Sequence, residues 1–160
     1  MKYALPTLVL GVAALMGVAL VASAQTMDDA KIVSPEQIEW GPGPASIPAG
    51  AEAVTLFGDP TKEELFAIRI KAPKDYHIPP HTHPKPEVVT VVSGALRLGM
   101  GETADRDKAE LLSAGSFFAL SPGMAHYVYT DEETVLQLNS VGPWALTYVN
   151  PKDDPRQGSQ

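Results

Sequence analysis

Apolar positions between residues 53 and 149 alternate with polar ones at a spacing of two, the repeat of a strand, and not at the spacing of a helical face. Ala53–Phe57, Leu65–Ile70, Val88–Val92, Ala95–Leu98, Glu110–Leu112, Ser116–Leu120, His126–Tyr129, Thr134–Leu138 and Ala145–Val149 are short and rich in β-branched or aromatic residues. Turn-forming runs such as Gly58-Asp59-Pro60, Ser93-Gly94 and Ser121-Pro122-Gly123 separate nearly all of them. About nine strands in roughly 100 residues predict an all-β sandwich or jelly-roll barrel. Only Ser34–Trp40 and Thr61–Glu64 carry a weak helical signal. Val88–Val92 is apolar on both faces, so its outer face is expected to lie under other strands, the N-terminal segment or a second subunit.

The ends read differently. Met1-Lys2-Tyr3, the uncharged stretch Ala4–Ala22 and the small-residue site Ala22-Ser23-Ala24 have the layout of a secretory signal peptide cleaved after Ala24. The expected organisation is a signal at 1–24, an N-terminal extension at 25–46, a β-barrel at 47–149 and a polar tail at 150–160. Such a chain would be periplasmic or secreted and would keep no stable membrane anchor after cleavage. The net charge of −7 becomes more negative once Lys2 is removed, and no basic run is present, which argues against nucleic acid as a partner. With no cysteine there is no disulfide framework, so packing, or partly a metal, must hold the fold.

Three of the four histidines lie in HIPPHTHPKPE, residues 77–87. His81 and His83 are two apart, so in a strand both imidazoles leave the same face and can share an ion. Pro84 and Pro86 cannot donate to a ladder, and a stiff bend is expected there, carrying Glu87 back toward the histidines. The fourth donor falls to His126, which opens a strand after a Pro-Gly turn. Three neutral imidazoles and one carboxylate around an octahedral divalent ion leave two positions for water, oxygen or a small bidentate molecule.

These residues resemble the cupins. His81-Thr82-His83, three residues, Glu87, six residues and Gly94 match the first cupin motif from its first histidine onward, with Asp75 in place of the leading glycine. Gly115, Gly123 and His126 match the second by spacing, while Ser121 stands where proline is usual and Thr130 replaces the final asparagine. The resemblance implies a double-stranded β-helix barrel with one transition-metal ion inside (Zn, Fe, Mn, Ni or Cu), held by His81, His83, Glu87 and His126, and often a homodimer. It does not name a reaction.

The expected partner is a small molecule, either a substrate in dioxygenase-like or isomerase/lyase-like chemistry or a ligand sensed without turnover. Glu87, Tyr76 and Tyr148 are the candidates for moving a proton. His77 is expected to be exposed or to support the metal ligands, and Arg69 to face water. Tyr127 and Tyr129 should lie at the surface or an interface. Phe117, Phe118 and Leu120 are expected in the core, with Trp40 and Trp144 as packing anchors.

Overall fold

The structure, a computed structural model, describes residues 30–157. The expected signal peptide lies outside them. Among the described residues, eleven strands form two antiparallel sheets. In chain order they are β1 (Gly41–Pro42), β2 (Glu52–Phe57), β3 (Leu65–Ala72), β4 (His77–Thr82), β5 (Glu87–Ser93), β6 (Ala95–Met100), β7 (Glu110–Ser113), β8 (Phe117–Leu120), β9 (His126–Thr130), β10 (Thr134–Val141) and β11 (Thr147–Tyr148). One sheet runs β1-β2-β3-β10-β5-β8 and the other β11-β4-β9-β6-β7. Together they make the all-β jelly roll that the alternating pattern predicts. The weak helical signal at Ser34–Trp40 reduces to one 3-10 turn, Pro35–Gln37.

The core lies between the sheets. Phe66, Ile68, Val89 and Leu138 pack as one buried group, and Val91, Leu96 and Val128 as another. A third, around Ile47, Ala72, Tyr76 and Leu146, closes one end. Full burial of a Val, Leu, Ile or Phe side chain contributes about 1.5–3 kcal/mol, so these groups supply the main driving force for folding. The chain crosses between sheets at Gly94, the single residue between β5 and β6. Its φ is +75°, and a Cβ there would sit 2.3 Å from the Glu133 carbonyl oxygen, so only glycine fits.

Several expectations are corrected. The strand β4 is absent from the alternating pattern because Pro79 and Pro80 obscure it; it pairs with β9 through an irregularity between Ile78 and His81. Tyr127 is not a surface residue but 2% exposed, its ring over Gly99, where no side chain would fit, and its hydroxyl donating to the Asp105 carbonyl at 3.0 Å. The 101–109 connection covers what alternation marks as an outer position. Phe117 is not core: it is 62% exposed on β8, an edge strand, while Phe118 and Leu120 face inward. On the outer face of β5, Val92 is exposed while Val88 and Thr90 are half-buried. Arg69 is half-buried, its Nε donating to Gln137 Oε1 across the β3–β10 pair at 3.1 Å.

Candidate metal centre

The site is built where the two sheets face each other. His81 on β4 is the register partner of His126 on β9 on one side and of Tyr148 on β11 on the other. Glu87 opens β5 in the opposite sheet, opposite Leu120 of β8. The irregularity in β4 changes the facing of its first half: His77 stacks flat on Tyr129 with ring centroids 4.1 Å apart, whereas His81 points into the barrel. Pro84-Lys85-Pro86 forms the bend that brings β5 back, and Gly123 N–H donates to the His83 carbonyl at 2.9 Å, tying the loop before β9 to this bend.

His81, His83 and His126 are all buried, and each offers a ring nitrogen within 4.8 Å of the others. All three rings are oriented by the same device. His81 Nδ1 lies 2.7 Å from the Pro79 carbonyl, His83 Nδ1 2.8 Å from that of Ala145, and His126 Nδ1 3.0 Å from that of Met124. A carbonyl only accepts, so each Nδ1 carries the proton, and each Nε2 is left with a lone pair, the tautomer a metal-ligating histidine adopts. Burial drives His81 from its ordinary value down to about 2, with His126 beside it adding to the effect. His83 is lowered mainly by burial too. Both imidazoles are therefore neutral at pH 7.

Glu87 is only 7% exposed and meets this cluster directly. Its Oε2 is 3.0 Å from His126 Nε2 and its Oε1 3.7 Å from His83 Nε2. With the histidine protons on Nδ1, these contacts set acceptor against acceptor. His83 Nε2 and Glu87 Oε2 accordingly have no hydrogen-bond partner. Orphaned buried acceptors and a buried carboxylate are costly, and a divalent cation among the three histidines, with Glu87 beside it, would relieve that cost. The residues fit a metal ion.

A cavity of about 50 Å³ adjoins the cluster. His81, Glu87 and His126 face it, and most of its remaining wall is apolar, including Val89, Phe118 and Leu138. Tyr76 lines it as well, but its hydroxyl donates to the Pro48 carbonyl, and Tyr148 Oη donates to the Ser46 carbonyl at 2.9 Å. Burial pushes the Tyr148 phenol up to about 12 and raises that of Tyr76 as well. Both tyrosines thus tether the 46–48 loop to the barrel. His77 is half-buried beside Tyr129, away from the shared cluster, and its Nε2 is buried without a partner.

The Cupin domain family model matches residues 69–142, a stretch that contains β4 to β10 and all four candidate donors. The chain carries a cupin domain. This cupin is 32% identical over 74 residues to a germin-like protein 9-3 from Oryza sativa subsp. japonica, a match covering 45% of this chain and 35% of that protein. It therefore spans only about a third of the length of such a relative. Its fold resembles that of a putative acetylacetone dioxygenase from Methylibium petroleiphilum PM1, with TM-score 0.61, 19% identity and coverage of 79% and 85% of the two chains. It also resembles the polyketide cyclase RemF from Streptomyces resistomycificus, with TM-score 0.61, 16% identity and coverage of 80% and 91%. At these identities the likeness is one of fold.

Sequence reasoning did not find the three carbonyls that orient the imidazoles, nor the contact between Trp144 and His83, whose rings stack at 4.1 Å and 18°. The carbonyls of Pro79 and Met124 lie two residues before their histidines, a local relation that no residue type signals. Ala145 and Trp144 reach His83 from more than sixty positions away, and nothing in the sequence marks that contact.

Proposed function

We propose that this cupin is exported and that His81, His83, His126 and Glu87 hold one divalent transition-metal ion at which a small polar molecule is bound and turned over. The observation carrying the proposal is the common tethering of three Nδ1 atoms to backbone carbonyls, which leaves three lone pairs and a carboxylate converging in a dry interior. Three nitrogens and one oxygen suit Zn, Fe, Mn, Ni or Cu. A bound ion would supply Lewis acidity to the oxygens of a ligand in its remaining positions.

The chain's own residues determine the rest. The imidazoles are held neutral and pre-oriented, so little ordering is left to occur on binding. The apolar wall keeps bulk water from the centre, and the small cavity restricts the reacting end of the ligand to a few atoms. Glu87 is the acid–base group in this wall not committed to a hydrogen bond within the protein, so the carboxylate oxygen that an ion would leave free is the one to accept a proton. Oxygenase-like and isomerase/lyase-like reactions both meet these conditions.

A second reading, a binding or sensing module without turnover, is favoured by the two tyrosines: with both hydroxyls donated to the 46–48 loop, the cavity offers no proton donor beyond the donor set. Protein purified from its native compartment, analysed for metal and for co-purified small molecules, tests both readings. Consumption of the recovered molecule, lost in a folded His81→Ala variant, establishes an enzyme. A molecule that raises Tm and is recovered unchanged establishes a binding module. Failure to take up any divalent ion overturns the metal-dependent enzyme, and failure to bind either an ion or a small molecule overturns both. Mature protein beginning at Gln25 is the outcome expected from export, and a homodimer burying the exposed outer face of β5 and β8 is the assembly expected in sedimentation.

A further inference from the structure

Trp144 lies outside the donor set, yet it touches the set at one member. Its indole stacks on the His83 imidazole with ring centroids 4.1 Å apart and planes 18° from parallel. The neighbouring Ala145 carbonyl accepts from His83 Nδ1 at 2.8 Å. One short segment therefore holds His83 twice, by the face of its ring and by its edge. The segment is itself anchored. Trp144 N–H donates to the Pro60 carbonyl at 2.7 Å, and Gly142 N–H to that of Glu64 at 3.0 Å. A Cβ on Gly142 would lie 2.1 Å from the Lys62 carbonyl oxygen, so this strap sits directly on the 58–64 loop. Phe66, fully buried, meets the indole edge-on at 5.7 Å. The same indole lines a groove of about 310 Å³ that includes Pro42, Pro60, Val54 and Thr61.

From this geometry we infer that Trp144 is the positioning residue of the metal centre: its indole fixes the plane of the His83 ring so that Nε2 stays aimed into the cluster, and it keeps that ring out of water. The inference rests on the metal site proposed above. His83 has the greatest need of such support, because it stands in the bend after β4, where no ladder holds it, whereas His81 and His126 are held by strand pairing. A ring free to turn about χ1 and χ2 loses its alignment with the other two donors. Truncating the indole opens the ring face toward the groove and removes a flat partner that imidazole prefers to stack on. Hydrogen-bonding partners that orient a metal ligand are worth about tenfold to a hundredfold in metal affinity, and the stacked indole restrains the same ring rotation.

The test uses Ni²⁺ as probe, on full-length mature protein freed of metal by a chelator. Trp144→Ala is expected to bind Ni²⁺ about ten- to a hundredfold more weakly than wild type in a chelator competition, with Trp144→Phe, which keeps an aromatic face, restoring affinity to within about threefold. In Trp40→Phe, where Trp144 is the remaining indole, stoichiometric Ni²⁺ is expected to quench most of the tryptophan emission. In Trp144→Phe, which retains Trp40, emission should stay within about a tenth of its starting value. A folded Trp144→Ala variant with wild-type affinity overturns the inference, as does a Trp144→Phe variant as weak as a folded Trp144→Ala, or unquenched emission from Trp40→Phe at saturation. If Trp144→Ala does not fold, quenching in Trp40→Phe and affinity in Trp144→Phe decide between the same outcomes. Wild type that binds no Ni²⁺, Zn²⁺ or Mn²⁺ overturns the metal site itself, a result distinct from a failure confined to the Trp144 variants.

Discussion

Glu87 and the histidines concentrate the energetic conflict of this molecule into four side chains. Without an ion, Oε2 of Glu87 and Nε2 of His126 stand 3.0 Å apart as two facing acceptors. Gln in place of Glu87 brings its own N–H to that contact and no charge. Glu87→Gln is therefore expected to stabilise the metal-free protein by about 1–3 kcal/mol while weakening divalent-ion affinity, both read from Tm with and without metal. The buried imidazoles set a pH dependence. In the fold His81 is depressed to about 2 and His83 is also lowered, while in the unfolded chain both titrate near 6.5. Between these values the unfolded state binds more protons, so the stability from these groups is present above about pH 6.5 and is lost as pH falls below it. Denaturant melts of metal-free protein should show a fall approaching about 1.4 kcal/mol per pH unit from His81 in that window, with His83 acting in the same direction. That these four side chains would meet was legible from motif spacing; the reason that they face one another as bare acceptors, the carbonyls at Pro79, Ala145 and Met124, was not.

At the scale of elements, the connection from β3 to β4 shows how departures from a motif are absorbed. Asp75 takes the place of a glycine and adopts φ 60°, the left-handed conformation that glycine enters freely and aspartate tolerates. Its N–H donates to the Thr130 carbonyl at 3.0 Å, so the turn is kept. Asp75→Gly is expected to relieve strain and raise stability by about 0.5–1 kcal/mol, measured as a higher denaturation midpoint. Thr130, which replaces the motif's last asparagine, is 1% exposed; its hydroxyl donates to the Pro73 carbonyl at 2.6 Å and accepts from Tyr76 N–H at 3.0 Å. Thr130→Val keeps the shape and removes both bonds, leaving a buried N–H unpaired. A loss of about 1–3 kcal/mol is expected in the same measurement. The sequence shows that both positions differ from the motif. That Thr130 clamps the Asp75 turn is a contact between positions 54 apart, Tyr76 to Thr130, which only folding reveals.

For the whole molecule, metal and core make separable contributions. The buried groups around Phe66, Val91 and Ile47 contain none of the four donors, so the barrel is expected to stay folded after chelation, with a lower Tm. Divalent ion at about a hundred times Kd should restore about 2.7 kcal/mol, whereas His81→Ala protein should melt at one temperature with or without it. Unfolding on chelation alone, seen as loss of strand signal in circular dichroism, would instead make the ion a structural staple. Alternation along the chain made the strands and the inner faces legible, yet it failed at Tyr127 and Phe117. Alternation reports which positions share a face, not whether a loop such as 101–109 covers that face or whether the strand ends at an edge.

What the sequence determined by itself is the kind of fold and the donors it carries: period-two alternation admits an all-β core, and histidine and glutamate at these intervals, with glycine at the crossing between sheets, admit a metal. These are local properties, set by backbone geometry and side-chain chemistry. The tertiary structure decided which nitrogen of each histidine faces inward, that β4 forms despite its prolines, that the tyrosine hydroxyls serve the 46–48 loop, and that Trp144 backs His83. The orientation of His81 and His126 rests on a carbonyl two residues before each ring; the others depend on partners dozens of residues away, brought within contact only when the two sheets close on a common core.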